Sequence, residues 1–542
     1  MLRMAARHGM MLVAAISGLV IALRMLVGPF DAPLRVRIPL NPEGWFGVAL
    51  TALLAIRPSG SIATEQHHQQ RNGWWNAAAI AALIGFTTAA FWRTPHFYFL
   101  SDDFILVKIA NSPHAVIRSW FTMAGGDGFF RPIGYISLTL TSIWAGVNPM
   151  AWHATALSLH VANVVLVFAL ATRLGASRLA ASFATALFGV HGTRPEAAAW
   201  IAGRFDLVAT FFVLLALLFF IRFHREAASI GYLYALASLV CMVLAILSKE
   251  SAYIFPFLVA LFLLAKRDLC RRRMGVLIPF FVVAAALFAY RWRLFGGIGG
   301  YGDAQTGKAQ ALTFGLSTVK ALGLRLWMAL YFPINWSVGP GAWMAALMIA
   351  YIGALVWLTT TRPNRELMGF SFGFVIVSAL PPLHLLAIGA GLGNSRLLYL
   401  PSVGFCLMLA VAVDGLSGRV RWIIPTVILA FNFATLQHNL DSWEYASEKA
   451  KATSAAARSC ISPGVGEIVV SGIPSILRGV PFFANGLLEA IELHTSGVPL
   501  TVTAHEGDER PNSHSLVWNR TTETADCVCR GNCPSGPGNA PK

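Results

Sequence analysis

The feature that most constrains this chain is a long series of apolar runs, each close to the length needed to cross a lipid bilayer. They lie near residues 11–27, 42–56, 76–92, 152–172, 179–191, 205–221, 231–248, 251–265, 275–291, 342–358, 368–389, 398–416 and 422–437. A hydrocarbon core roughly 30 Å thick takes about 20 helical residues to span. The expected fold class is therefore an all-α polytopic membrane protein, a helical bundle of about 11–13 transmembrane helices. Composition agrees: 12% of the residues are charged and mean hydropathy is +0.62, whereas a soluble domain carries about 25% charged residues.

The net charge of +16 does not make a nucleic-acid binder, because the basic residues lie mostly between apolar runs and not in one patch. That distribution follows the positive-inside rule. The first run, Met11 to Val27, follows Arg3, Arg7 and His8 and reads as an uncleaved anchor. The segment 313–335 is apolar but carries Lys320 and Arg325. If it lies along the outer surface or re-enters, the short inner loops past the third span hold Arg173 and Arg178, Arg222 and Arg225, Lys266 with Arg267 and Arg271 to Arg273, Arg362 and Arg365, and Arg419 and Arg421. If it crossed, the last two pairs would face outward, so it is expected not to cross.

Three regions follow. Residues 1–75 form an extra transmembrane hairpin with a cytoplasmic loop, 76–437 the transmembrane core, and 438–542 a small outward-facing domain. In that tail Glu467–Ser471 and Val498–Thr503 read as strands and Leu487–Leu493 as a helix. The last stretch reads as disordered. Cys527, Cys529 and Cys533 match no zinc spacing, which leaves a disulfide or free thiols.

This topology gathers acids and bases on the outer side: Asp102, Asp103, Arg131, Arg194, Glu196, Arg204, Asp206, Lys249, Glu250, Arg291, Arg293 and Arg396. Ionisable groups near membrane depth are costly and tend to mark a functional cavity, although snorkelling at helix ends accounts for some of them. The pair Asp102-Asp103 follows Phe97-Tyr98-Phe99-Leu100-Ser101. A carboxylate there could take a proton from an acceptor hydroxyl, and a pair could hold a divalent cation. The structural alternative is an N-cap on a helix over Phe104–Asn111, with Ser101 or Asp102 as the cap. Arg131, in Phe130-Arg131-Pro132, suits phosphate or a lipid headgroup. His153 and His160 lie two helical turns apart on one face. His191-Gly192-Thr193-Arg194-Pro195-Glu196, Gly203-Arg204-Phe205-Asp206 and Ser248-Lys249-Glu250 complete the set.

In order, these residues resemble the GT-C class of membrane glycosyltransferases, and within it the O-mannosyltransferases that carry tetratricopeptide tails. The pattern runs from about residue 97 to 443 and ends on its most specific run, Arg396-Leu397-Leu398-Tyr399-Leu400-Pro401-Ser402-Val403-Gly404-Phe405. Ala156, Gly192 and Ser395 depart from it, and no 34-residue repeats follow. The resemblance implies a GT-C-type bundle acting on a polyprenyl-phosphate-linked sugar, with mannose one candidate and the sugar itself left open. An acceptor hydroxyl on a protein, lipid or glycan attacks at the outer face and inverts the anomeric centre. Asp102 or Asp103 would be the general base, with Asp102 favoured. Arg131, Arg204, Lys249 and Arg396 would stabilise the leaving phosphate. His153, His191, Glu196, Asp206 and Glu250 would orient substrate, and a divalent metal, if used, would sit on Asp102 and Asp103. No nucleotide cofactor is expected. The expected setting is a bacterial inner membrane, with the site facing the periplasm or exterior. Two other classes compete: a flippase for a lipid-linked glycan, and a non-catalytic assembly subunit of the same fold.

Overall fold

The structure, a computed structural model, describes residues 2–27, 41–56, 73–121, 129–226, 228–268, 274–300, 316–386, 388–460, 467–493, 501–504 and 513–530. The expected disorder at the end of the tail and the side chains of Cys529 and Cys533 lie outside the described residues.

The apolar runs are helices. In chain order they are α1 (Leu2–Val27), α2 (Pro42–Ile56), α3 (Gly73–Ala90), α4 (Asp102–Ala110), α5 (Pro113–Arg118), α6 (Pro132–Ala145), α7 (Pro149–Leu174), α8 (Arg178–Val190), α9 (Pro195–Ala198) and α10 (Arg204–Arg225). They continue as α11 (Ala228–Ile246), α12 (Phe255–Ala265), α13 (Leu277–Phe295), α14 (Leu316–Tyr331), α15 (Ala342–Leu358), α16 (Arg365–Ala379), α17 (Pro401–Asp414), α18 (Val420–Ser459) and α19 (Leu487–Glu492). Their ends follow local chemistry. Asn148 caps α7 by accepting the Met150 N–H ahead of Pro149, and Gly175 ends the helix at φ 96°. Ser177 and Asn364 cap α8 and α16 in the same way.

Among the described residues, four stretches are long and apolar enough to cross a membrane: Pro149–Leu174, Ile201–Arg225, Leu277–Phe295 and Val420–Ser459. Seven more apolar helices of 10–17 residues accompany them. Leu12, Ile16, Leu19, Leu140, Ile143, Leu233, Ile278 and Trp422 stand exposed on the helix surfaces. So many outward apolar side chains suit lipid and would be a liability in water, and the chain is an integral membrane protein. Inside, one continuous core joins α7, α8, α10, α12, α16 and α17 through residues such as Val167, Leu187, Leu214, Leu258, Phe374 and Leu407. The segment 313–335 contributes α14, which packs along α2 where Gly44 and Gly47 leave room for Leu324, Trp327 and Tyr331.

The expected boundary at 437/438 is corrected. Helix α18 runs without a break from Val420 to Ser459, 40 residues with Pro425 inside it, roughly 60 Å at 1.5 Å per residue. Its outer half buries Leu440, Trp443, Ala446, Ala450 and Ala457, a helical spacing that continues the span as an amphipathic helix. The tail domain folds on this helix. Its sheet has the order β4-β1-β5-β6, from β1 (Glu467–Ser471), β4 (Thr501–Ala504), β5 (Ser513–Asn519) and β6 (Thr524–Arg530). Strand β1 is parallel to β4 and β5, and β5 is antiparallel to β6. A small hairpin pairs β2 (Ile476–Leu477) with β3 (Val480–Pro481). Its two-residue turn takes Arg478 and Gly479 to φ 49° and 80°, the primed geometry that suits strand twist. A disulfide, Cys460–Cys527, ties the end of α18 to β6.

Candidate active site

The structure separates the two aspartates. Asp103 is fully buried, and both carboxylate oxygens accept backbone N–H groups, Oδ2 from Leu100 at 3.1 Å and Oδ1 from Ala202 at 3.0 Å. It fastens the turn before α4 to the short 3₁₀ turn Ile201–Gly203. Burial pushes its carboxyl well above the usual range, although these two N–H donors act in the opposite direction. Asp102 is half-buried, and its Oδ1 accepts a hydrogen bond of 2.8 Å from the Asn485 side chain in the tail domain. The cap reading is corrected: Ser101 sits at φ 46° and makes no side-chain cap bond. Its hydroxyl accepts from the Asn485 backbone N–H instead. Three of the pair's four oxygens accept protein N–H groups. Among the described residues no group of three or more His, Cys, Asp or Glu side chains converges on one point.

The expected cations meet the expected carboxylates. The Arg131 guanidinium donates to both oxygens of Glu250, at 2.9 and 2.5 Å, a bidentate fork. The Lys249 Nζ pairs with Asp206 at 2.5 Å. Arg396 donates to Glu196 at 2.6 Å, while Glu196 also accepts from the N–H groups of Asn394 and Arg396 and from the Ser395 hydroxyl. Glu196, Asp206 and Glu250 therefore hold and neutralise cations. Of the three, Glu250 also lines the cavity described below.

Two further expectations are corrected by burial. Arg204 is fully buried and donates to the Thr141 hydroxyl and the Trp152 carbonyl, so its guanidinium faces protein and no ligand. His191 is also fully buried, with Nε2 on the Leu330 carbonyl and Nδ1 on the Thr193 hydroxyl. His153 lies buried beside the rings of Phe97 and Phe99, and His160 bridges the Tyr399 hydroxyl and the Gly189 carbonyl. Arg204, His160 and His191 join neighbouring helices through these bonds.

A cavity of about 280 Å³ opens beside the ion pairs. Lys249, Glu250, Arg291 and His384 line it together with Phe129, Phe288, Ile298, Leu385 and Leu397. Arg291 was not singled out from sequence as a site residue. It is buried on the cavity wall, and its Nε has no hydrogen-bond partner among the described residues. Arg291 faces Glu250, the same carboxylate that the Arg131 fork engages. Its position in Arg291-Trp292-Arg293, at the outer end of an apolar run, was the available signal. Neither aspartate lines this cavity, but Trp200 links the two places. Its indole N–H donates to the Leu100 carbonyl, two residues before Asp102, and the Arg396 guanidinium lies 4.8 Å from the centre of its ring.

No family profile matches the chain. Similar curated proteins are protein O-mannosyl-transferases. Tmtc1 of Drosophila melanogaster is 36% identical over 122 residues, 22% of this chain and 14% of the relative. TMTC4 of Homo sapiens is 25% identical over 385 residues, 59% of this chain and 52% of the relative. The chain thus spans about half, or less, of the length of the relatives it matches. Similar solved structures include ArnT from Cupriavidus metallidurans bound to undecaprenyl phosphate, with 15% identity, coverage of 83% and 94% of the two chains and a TM-score of 0.36. The oligosaccharyltransferase AglB from Archaeoglobus fulgidus, in complex with an inhibitory peptide and a dolichol-phosphate, aligns with 12% identity, coverage of 78% and 64% and a TM-score of 0.43. In sequence, the chain resembles the protein O-mannosyl-transferases over more than half its length.

Proposed function

We propose that this protein is a membrane glycosyltransferase that moves a sugar from a polyprenyl-phosphate-linked donor to an acceptor hydroxyl on the outer face of the membrane. The observation that carries the reading is the cavity whose wall sets the buried cations Arg291 and Lys249 between apolar side chains. A lipid phosphate asks for that combination: a low-dielectric lining for the isoprenoid, and fixed positive charge where the leaving phosphate gathers its negative charge. The ion-paired carboxylates keep the other cations from repelling one another and hold their forks in place. Names of the similar proteins favour mannose as the sugar and a protein as the acceptor.

In this mechanism Asp102 takes the proton of the acceptor hydroxyl as its oxygen attacks the anomeric carbon. The bond to phosphate breaks, the lipid phosphate leaves as an anion held by Arg291 and Lys249, and in-line displacement inverts the centre. Asp103 supports the turn and stays out of proton transfer, since both its oxygens are engaged. No step requires a metal. The Cys460–Cys527 disulfide supports an outward, oxidising side for the tail and for the Asp102 turn it touches. The test is transfer of labelled sugar from a polyprenyl-phosphate-linked donor in membranes. Asp102→Asn is expected to lose transfer by roughly 100-fold or more while the donor is still bound. Wild-type transfer by Asp102→Asn would remove the catalytic assignment.

A further inference from the structure

The tail domain touches the core at the Ser101-Asp102 turn. The Ser101 N–H donates to the Phe482 carbonyl at 2.9 Å. The Asn485 N–H donates to the Ser101 hydroxyl at 3.2 Å, and the Asn485 side-chain amide donates to Asp102 Oδ1. Phe483 stacks on Phe104, ring centres 5.9 Å apart and planes within 12°. Gly486, at φ 79°, lies so close that a Cβ there would stand 2.2 Å from the Ser101 carbonyl oxygen. One side of the turn is fixed by Asp103 and the other by a five-residue stretch some 380 positions later in the chain.

Ser101 cannot hold this conformation by itself. A non-glycine residue at φ 46° and ψ −116° is strained and persists only where its surroundings over-determine it. Here they do. Ser101 is buried, with its N–H and hydroxyl both bonded to the tail domain. The stretch packs on a hydrophobic cluster shared by both regions, Phe99, Phe104, Trp443, Leu477, Phe482 and Trp518 among its members.

We infer that Phe482–Gly486 is a positioning clamp for the Asp102 carboxylate, with Asn485 aiming it and Gly486 permitting the close approach. The inference rests on the reading of Asp102 as the general base, and it makes the tail domain part of the catalytic machinery. A general base must lie within hydrogen-bond reach of its proton, and a misplacement of about 1 Å can cost on the order of 100-fold in rate.

The experiment uses the full chain in membranes and compares Asn485→Asp, Gly486→Ala and Asp102→Asn. Asn485→Asp keeps the shape of the side chain but turns the donor into an acceptor facing Asp102, so a packing role would survive it. The clamp predicts a fall in kcat of roughly 10- to 100-fold for Asn485→Asp and Gly486→Ala, with KM for the donor unchanged and the Cys460–Cys527 disulfide still formed. If Asp102→Asn is inactive while both clamp variants keep wild-type kcat, the clamp is overturned and the base stands. If Asp102→Asn is as active as wild type, the base fails and the clamp falls with it. Should Gly486→Ala not accumulate, Asn485→Asp alone decides.

Discussion

At the scale of single residues, Asp102 and Asp103 are chemically identical and adjacent, yet the fold gives them opposite work. Asp103→Asn places an amide N–H₂ against one of two backbone N–H donors, Leu100 or Ala202. A cost of about 1–3 kcal/mol is expected, read as a lower thermal midpoint. The buried carboxyl is raised well above the ordinary range, so it holds its proton more tightly folded than unfolded. Its contribution is complete below the ordinary aspartate range and is lost as pH climbs through the raised one. The thermal midpoint of the wild type should therefore decline over that climb, and the decline should be absent from Asp103→Asn. For Arg291, Arg291→Gln removes a positive charge from the cavity wall. The expectation is a KM for the donor raised about 10-fold or more with the acceptor KM unchanged. Residue types and order were legible in the sequence, and so was the chemistry they allow. Which aspartate is buried was not, because it depends on Ala202 and Asn485, far away in the chain. Nor could the sequence reveal that Glu196, Asp206 and Glu250 each hold a cation.

At the scale of elements, apolar length and flanking charge located the helices well, since both act locally along the chain. Strands β5 and β6 and the β2–β3 hairpin were missed, and so was the outer half of α18. Its apolar spacing, Leu440, Trp443, Ala446, Ala450 and Ala457, was present to be read, but a polar composition obscured it. Strands β1 and β4 fall where alternation placed them, whereas the partner of Cys527 is Cys460, outside the cysteine cluster that drew notice. Cys460→Ser should free β6 from the end of α18 and cost the tail domain about 2–5 kcal/mol. Limited proteolysis should then cut the tail well before the transmembrane helices. Equal resistance to protease in wild type and variant would show that the bridge contributes little.

At the scale of the whole molecule, the arrangement has one side that matters. The disulfide-linked tail and the Asp102 turn lie together, on the side that the proposed orientation makes the exterior. A single cysteine in the Arg362–Arg365 loop, on the opposite side, should resist an impermeant thiol reagent in intact cells; rapid labelling there would reverse the orientation of everything after α14. The contact between Ser101 and Phe482–Gly486 also sets an order of events during biosynthesis. The turn that carries the candidate base leaves the ribosome early, and the stretch that fastens it is translated some 380 residues later. A nascent or truncated chain can insert every helix up to α17 and still lack a settled carboxylate. Maturation of such a protein would be timed by the closure of the Phe482–Gly486 stretch on the turn, so truncation ahead of it should yield a stably inserted but inactive product.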